Sequence, residues 1–187
     1  RIFVERPLYE KFKTDFVARV SKLQVGDPMD NNTKTGAVVS EAHMNKVLSY
    51  IELAKAEGGT VIAGGERANV PDRCAEGWFI NPTVIEGLAY NCRTNQEEIF
   101  GPVLNVMRFD DLDSAIENAN RSPYGNGASI FTRSGKAARE FKHRINCGMV
   151  GINIGVPASM PWFPFSGWNE SFFGDLHMQG KEGVQFF

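Results

Sequence analysis

The chain has 187 residues, of which 42% are hydrophobic and 22% charged, and its formal net charge is −2. That length and balance exclude a disordered chain and allow one domain with a buried core. A near-neutral charge with dispersed basic residues, such as Arg1, Lys22, Lys46 and Arg108, excludes the electrostatic footprint of a nucleic-acid binder and a polybasic membrane anchor, and no apolar run approaches the ~20 residues needed to cross a bilayer.

Arg1–Glu5 reads as a short strand with Ile2 and Val4 on one face. Pro7 suits the first turn of a helix, where its missing N–H does no harm. From Leu8 to Leu23 the residues Leu8, Phe12, Phe16, Val20 and Leu23 recur at three- and four-residue steps, one stripe of an amphipathic helix that Gly26-Asp27-Pro28 ends. Ser40 is the expected N-cap of a second helix running to about Glu57, with Glu41 near its positive end and Val47, Leu48, Ile51 and Ala54 as its buried face. Gly58-Gly59 stops it, and Thr60–Ala63 is a β-branched strand. Trp78–Ile80 and Thr83–Ile85 bracket Pro82 as extended, edge-like segments.

The second half repeats a simpler rhythm. Leu104–Phe109, Ala128–Phe131 and Gly148–Asn153 read as strands, and Asp111–Asn120 and Ser134–Ile145 as the helices between them. Strands alternating with helices imply an α/β fold with a mainly parallel sheet flanked by helices. No internal repeat interrupts it. After Asn153 the pattern changes: residues 155–174 hold three prolines, four phenylalanines and two tryptophans without helical or strand period. Such a loop is either functional or a satellite core folded under itself. The expected division is therefore 1–154 and 155–187.

Asn95-Gln96-Glu97-Glu98-Ile99-Phe100-Gly101-Pro102-Val103 carries the strongest local signal. Two carboxylates lie beside an aromatic ring, followed by a Gly-Pro turn into a strand. A carboxylate accepts paired hydrogen bonds from a ribose diol, and an aromatic edge presses on a flat ring. The bland alternative is a solvated acidic turn with Phe100 in the core.

Glu97-Glu98-Ile99-Phe100-Gly101-Pro102-Val103 resembles the signature of the aldehyde dehydrogenase superfamily, and the resemblance extends over essentially the whole chain. Arg1-Ile2-Phe3-Val4, Ser122-Pro123-Tyr124-Gly125, Gly148-Met149-Val150-Gly151-Ile152-Asn153 and Pro164-Phe165-Ser166-Gly167-Trp168 fall in family order. The resemblance implies an incomplete catalytic domain in 1–154 and, in 155–187, a substrate-side loop leading through Gly183-Val184-Gln185-Phe186-Phe187 towards an oligomerisation strand. It implies NAD as cofactor, with Glu98 on the nicotinamide-side ribose, Phe100 on the nicotinamide, and Lys46 and His43 near the cofactor ribose. Phe163 and Phe165 are the implied substrate-binding residues, within a wall that includes Trp162 and Trp168.

At the level of substrate, Pro123-Tyr124-Gly125-Asn126-Gly127, Phe165-Ser166-Gly167-Trp168, Ser171-Phe172-Phe173-Gly174-Asp175 and Gly180-Lys181-Glu182-Gly183 resemble methylmalonate-semialdehyde dehydrogenases, which pass the acyl group to coenzyme A. The stretch Tyr90–Glu97 and the helix around Ser40–Tyr50 look more like hydrolytic muconic-semialdehyde dehydrogenases. The acylating reaction is the reading preferred here; the alternatives are the hydrolytic enzyme and a non-catalytic fragment that serves as an assembly module. The implied partners are a small aldehyde and further copies of the chain, as a dimer or tetramer. The implied compartment is the cytoplasm, or the mitochondrial matrix in a eukaryote.

The family's nucleophilic cysteine and general-base glutamate have no counterpart among these residues, so the isolated chain is expected to be inactive. The abrupt opening without an initiator Met fits a fragment and leaves targeting unread. Cys74, Cys92 and Cys147 are too few and scattered for a disulfide framework or zinc site, point to a reducing compartment, and read as packing or spectator thiols. His43, His143 and His177 have no metal-ligand spacing, so no metal is expected. His143 suits a helix C-terminus, and His177 is expected to pair with Asp175.

Overall fold

The structure is a computed structural model that describes all 187 residues. They form two compact units, Arg1–Phe109 and Asp110–Phe187.

The first unit is built on a four-stranded sheet. Strand β1 (Ile2–Glu5) leads through a single 3-10 turn, Arg6–Leu8, into helix α1 (Tyr9–Val20), with Pro7 in that first turn. Helix α2 (Glu41–Ala56) follows, then β2 (Thr60–Ala63), β3 (Thr83–Glu86), the one-turn helix α3 (Arg93–Gln96) and β4 (Val103–Phe109). The sheet order is β1-β4-β3-β2. β4 runs parallel to both β1 and β3, and only the β2–β3 pair is antiparallel, which makes this the mainly parallel α/β sheet that alternation implied.

Three expectations need correction. Leu8 and Leu23 are exposed rather than part of the α1 stripe, because the helix proper begins at Tyr9 and ends at Val20. Tyr9 takes the anchoring place. It is buried with Val4, Val84 and Val106, and Phe12, Phe16 and Val20 pack against that cluster. The Thr83–Ile85 segment is not an edge. It lies between β2 and β4, with Thr83, Val84 and Ile85 all buried. Pro82 is tolerated because it precedes the strand, where no ladder N–H is asked of it. Helix α3 was not anticipated; at four residues it is too short to show a period.

Ser40 caps α2 as expected: its Oγ accepts from the His43 backbone N–H at 3.2 Å, worth about 1 kcal/mol. Met44, Val47, Ile51 and Ala54 are the buried face of α2. Val47 meets Ile80 and Ile99, while Ala54 meets Ile85 and Leu88.

In the second unit, α4 (Leu112–Asn120) and α5 (Gly135–Arg144) are capped by Asp111 and Ser134. They enclose Ile116, Phe141, Ile145 and Cys147 against the parallel pair β6 (Gly127–Ile130) and β7 (Met149–Ile152). A two-residue strand β5 (Tyr124–Gly125) pairs with β8 (Trp168–Asn169), and α6 (Gly180–Phe186) ends the chain. No helix is long and apolar enough to cross a membrane.

The satellite-core alternative for 155–174 is not what the unit shows. Trp162, Phe163, Trp168 and Phe173 are exposed, and the segment is held mainly through its backbone, as in Phe165 N–H to Met178 O at 2.7 Å and Glu170 N–H to Pro123 O at 3.0 Å. A Cβ on Gly148 would lie 2.2 Å from the Ser166 carbonyl oxygen, so only glycine admits this crossing. His177 pairs with Glu182 at 2.7 Å and not with Asp175. The same Glu182 oxygen also accepts the His177 backbone N–H, a double hold that Asp175 is not seen to offer, and the Phe172 ring stacks on the imidazole at 4.0 Å.

Candidate functional site

Helix α3 is held at its N-terminal end from outside. The Glu57 carboxylate, just past the end of α2, accepts the backbone N–H groups of Arg93 (2.9 Å) and Thr94 (3.1 Å) and the Thr94 hydroxyl (2.6 Å). These bonds, led by the Thr94 hydroxyl, hold the Glu57 carboxyl below its ordinary pKa. Beneath the turn, Asn95 is fully buried. Its amide donates to the Ala89 carbonyl at 2.9 Å, and its oxygen accepts from the Asn105 amide of β4, also at 2.9 Å. Asn105 donates a second bond to the Thr94 carbonyl. A buried polar network of this kind ties the turn rigidly to the central strand.

From that base the acidic loop emerges with alternating fates. The Glu97 carboxylate takes both Arg93 nitrogens, Nε at 2.7 Å and Nη2 at 3.1 Å, and the Tyr50 hydroxyl. Arg93 first, then Tyr50, pulls its carboxyl down to about 2, so it is ionised throughout the working range. Glu98 points outward, and its carboxylate makes no hydrogen bond or ion pair within the chain; only its backbone carbonyl is engaged, by Lys46 Nζ at 3.3 Å. Ile99 turns back into the core beside Val47 and Ile80. Phe100 is 74% exposed.

Phe100 also has φ +58°, a left-handed backbone that costs a non-glycine residue about 1–3 kcal/mol. The strain is held by its neighbours. His43 Nε2 lies 2.6 Å from the Phe100 carbonyl oxygen; a carbonyl only accepts, so the imidazole donates from that nitrogen. The two rings meet edge-on with centroids 6.0 Å apart. Next in line, a Cβ on Gly101 would come within 2.6 Å of Val47 Cγ2, so glycine is what lets the loop backbone lie against α2.

His43, Lys46, Glu98 and Phe100 are thus brought to one place, by bonds between α2 and the loop. The solvated-turn alternative was right about the exposure of Glu98 and wrong about Phe100, since Ile99 rather than Phe100 enters the core. Phe163 and Phe165 belong to the second unit, Phe163 exposed and Phe165 half-buried. Sequence reasoning missed Tyr50, Glu57, Arg93 and Asn105. Arg93 and Glu97 could have been found from their i,i+4 spacing; Tyr50, four residues beyond Lys46, from the row it continues on α2.

Neither Cys92 nor Cys147 is poised as a nucleophile. Burial pushes the thiols of Cys92 and Cys147 above their ordinary pKa, which disfavours the thiolate. Cys147 Sγ instead donates to the Met149 carbonyl at 3.2 Å. No group of three or more His, Cys, Asp or Glu side chains is arranged to hold a metal ion.

A model described as "Aldehyde dehydrogenase family" matches residues 1–187. The chain belongs to the aldehyde dehydrogenase family. A malonate-semialdehyde dehydrogenase of Halalkalibacterium halodurans is 41% identical over 184 residues, which cover 98% of this chain and 36% of the relative. The crystal structure of methylmalonate-semialdehyde dehydrogenase from Oceanimonas doudoroffii superposes with a TM-score of 0.93 at 36% identity, over 100% of this chain and 38% of that one. Betaine aldehyde dehydrogenase from Staphylococcus aureus, solved in complex with NAD+, superposes with a TM-score of 0.91 at 36% identity, over 100% of this chain and 36% of its own. This aldehyde dehydrogenase chain therefore spans little more than a third of the length of the relatives it matches.

Proposed function

We propose that this chain is the cofactor-facing and substrate-wall portion of an NAD-dependent semialdehyde dehydrogenase. The observation that carries the reading is the division within the acidic loop: Glu97 is fully engaged, whereas the neighbouring Glu98 carboxylate is free beside the outward Phe100 ring. A ribose offers two adjacent hydroxyls to such a carboxylate, and a nicotinamide offers a flat ring to such an aromatic edge. NAD, when bound, accepts the hydride released as the aldehyde is oxidised to the acyl level. In this reading Glu98 holds the nicotinamide-side ribose and Phe100 sets the position of the nicotinamide. Lys46 and His43 steady that loop through the carbonyls of residues 98 and 100 and leave their helix face towards the cofactor.

Residues 1–154 are then part of the catalytic domain, and 155–187 the substrate-side segment, with Phe163 and Phe165 as apolar wall that keeps water from a reactive acyl group. The nucleophilic cysteine and the general base are not among these residues, so the 187-residue chain alone turns over no aldehyde. The preferred substrates are malonate and methylmalonate semialdehyde, a choice supported by the likeness to the malonate- and methylmalonate-semialdehyde dehydrogenases named above, and the preferred acyl acceptor is coenzyme A. The whole protein is a homo-oligomer, dimer or tetramer, which the exposed apolar side chains of the second unit support.

In the complete enzyme, Glu98→Gln is expected to lower kcat/KM for NAD about tenfold, since a hydrogen bond to a charged group contributes about 1.5–3 kcal/mol, and Phe100→Ala to lower it by up to about tenfold through a lost ring contact of about 0.5–1.5 kcal/mol. Unchanged NAD kinetics in Glu98→Gln would remove the reading. A product assay with methylmalonate semialdehyde decides the acceptor: acyl-CoA formed only when coenzyme A is present supports acylation, and free acid regardless of coenzyme A supports the hydrolytic enzyme.

A further inference from the structure

The side chains through which α2 holds the acidic loop form one row. His43, Lys46, Tyr50 and Glu57 stand at steps of three, four and seven residues, so they share one face of the helical path. Their partners run the other way along the chain: the carbonyl of Phe100, the carbonyl of Glu98, the carboxylate of Glu97, and the N–H groups of Arg93 and Thr94. Helix and loop are therefore joined antiparallel, one polar contact after another. Three of these contacts engage loop backbone. The exception is Glu97, whose side chain is gripped from two directions, by the Tyr50 hydroxyl from α2 and by the planar Arg93 fork from α3.

A carboxylate held by a two-nitrogen fork and a phenol has no rotational freedom left. Glu97 immediately precedes the residue whose own carboxylate is free, and it stands three residues before the strained Phe100 backbone. On the other side Ile99 is buried and Gly101 lies against Val47. The loop thus has a fixed point before Glu98, a second at Ile99 and a third at Gly101. Removing the first leaves Glu98 restrained only by the Lys46 bond to its carbonyl and by Ile99 behind it, so that its carboxylate can change direction.

We propose that Tyr50 and Arg93 are positioning residues for dinucleotide binding: by clasping the Glu97 carboxylate from two sides they set the direction in which Glu98 faces its ligand. The inference rests on the function proposed above. Glu97 itself contacts no ligand in this account. The two acidic residues of the motif divide the work, one as anchor and one as hook.

The test uses the complete enzyme and NAD as the titrated ligand, read by the quenching of protein fluorescence and by steady-state kinetics. Tyr50→Phe removes one hydroxyl without changing ring volume, and Arg93→Gln removes the fork. Each is expected to raise the Kd and KM for NAD about five- to tenfold while leaving the KM for aldehyde at saturating NAD unchanged. Arg93→Lys, which keeps a donor and a charge, is expected to recover part of the loss. Glu98→Gln is carried alongside. If it leaves NAD binding unchanged, the proposed function fails, whatever the clasp does. If it weakens binding while Tyr50→Phe and Arg93→Gln bind NAD like the parent enzyme, the clasp alone is overturned. Equal rises in the constants for NAD and aldehyde also overturn it, because they report general loosening. Should Arg93→Gln not fold, the Tyr50→Phe titration decides on its own.

Discussion

The acidic loop of the first unit and the aromatic segment of the second are both irregular, and both were singled out by composition, yet they are ordered by opposite means. Between Arg93 and Val103 almost every polar group has a named partner, and the two side chains facing outward, Glu98 and Phe100, are flanked by residues that are tied down. Between residues 155 and 174 the backbone is hung from β5 and from Met178, but the large side chains face outward without a buried cluster of their own. Order in the first region comes from saturating hydrogen bonds. In the second it comes from the path of the main chain, and the apolar side chains are left available. A segment of the first kind can present one side chain in one direction; a segment of the second kind presents a surface.

The comparison breaks most visibly at Asn95. Asn95→Ala leaves one Asn105 N–H without a partner in a closed interior and takes from the Ala89 carbonyl one of its two donors, the Cys92 N–H being the other. A loss of about 3 kcal/mol in unfolding free energy is expected, from the desolvation cost of the stranded amide together with the lost bond to Ala89. Denaturant unfolding of the parent and variant measures it. A change below about 1 kcal/mol would show that the network under the loop is not what orders it. Next in size is Gly101→Ala. The added methyl meets Val47 at 2.6 Å inside a packed cluster, and overpacking of that kind costs about 1–3 kcal/mol. The paired variant Gly101→Ala/Val47→Ala would return part of the loss if contact with Val47 is its cause.

The second region sharpens the contrast by failing to respond. Phe173 is 94% exposed, and Trp162 also faces outward, so Phe173→Ser and Trp162→Ser are each expected to change the stability of this chain by no more than about 0.5 kcal/mol. A large destabilisation by either would mean that the aromatic segment is a packed core after all. It would also withdraw the distinction between a region held by bonds and one held by its backbone path.

How much of this was legible in the sequence follows the range of each interaction. The cap Ser40 acts three residues ahead and was read as such, and Asp111 and Ser134, which cap α4 and α5 over the same range, were read as the starts of those helices; the strands that alternate with helices were legible too. The motif from Glu97 to Val103 announced itself by residue type and order. What could not be read is whatever depends on distant partners. Tyr50 meets Glu97 across 47 positions and Glu57 meets Thr94 across 37; the helical row places Tyr50 on the face of Lys46, but nothing local names the partner of either. The outward turn of Phe100 runs against the burial preference of its type; it follows from Ile99 and Gly101 taking the inner places, a tertiary fact. The pairing of β3 on both sides was hidden for the same reason, because Pro82 before it carries an edge signal whichever neighbours arrive.

The smallest effect is the one that isolates the Glu97 contact itself. Arg93 and Tyr50 lower its carboxyl from an ordinary 4.5 to about 2. A depressed acid binds its proton more readily in the unfolded chain than in the folded one, so its contribution to stability is complete above about pH 4.5 and disappears as pH falls towards 2. Glu97→Gln cannot ionise. The difference in melting temperature between parent and Glu97→Gln is therefore expected to favour the parent by a constant amount from pH 7 to about 5 and to shrink steadily below that. Because the group is solvent-accessible, the difference is small, and raising the salt concentration should reduce it further. A gap that stays the same from pH 6 to pH 3 would mean that the ionised carboxylate contributes nothing beyond its shape. The loop would then be held by Glu57, Asn95, Ile99, Gly101 and the His43 and Lys46 contacts, leaving the fixed point before Glu98 without a physical basis.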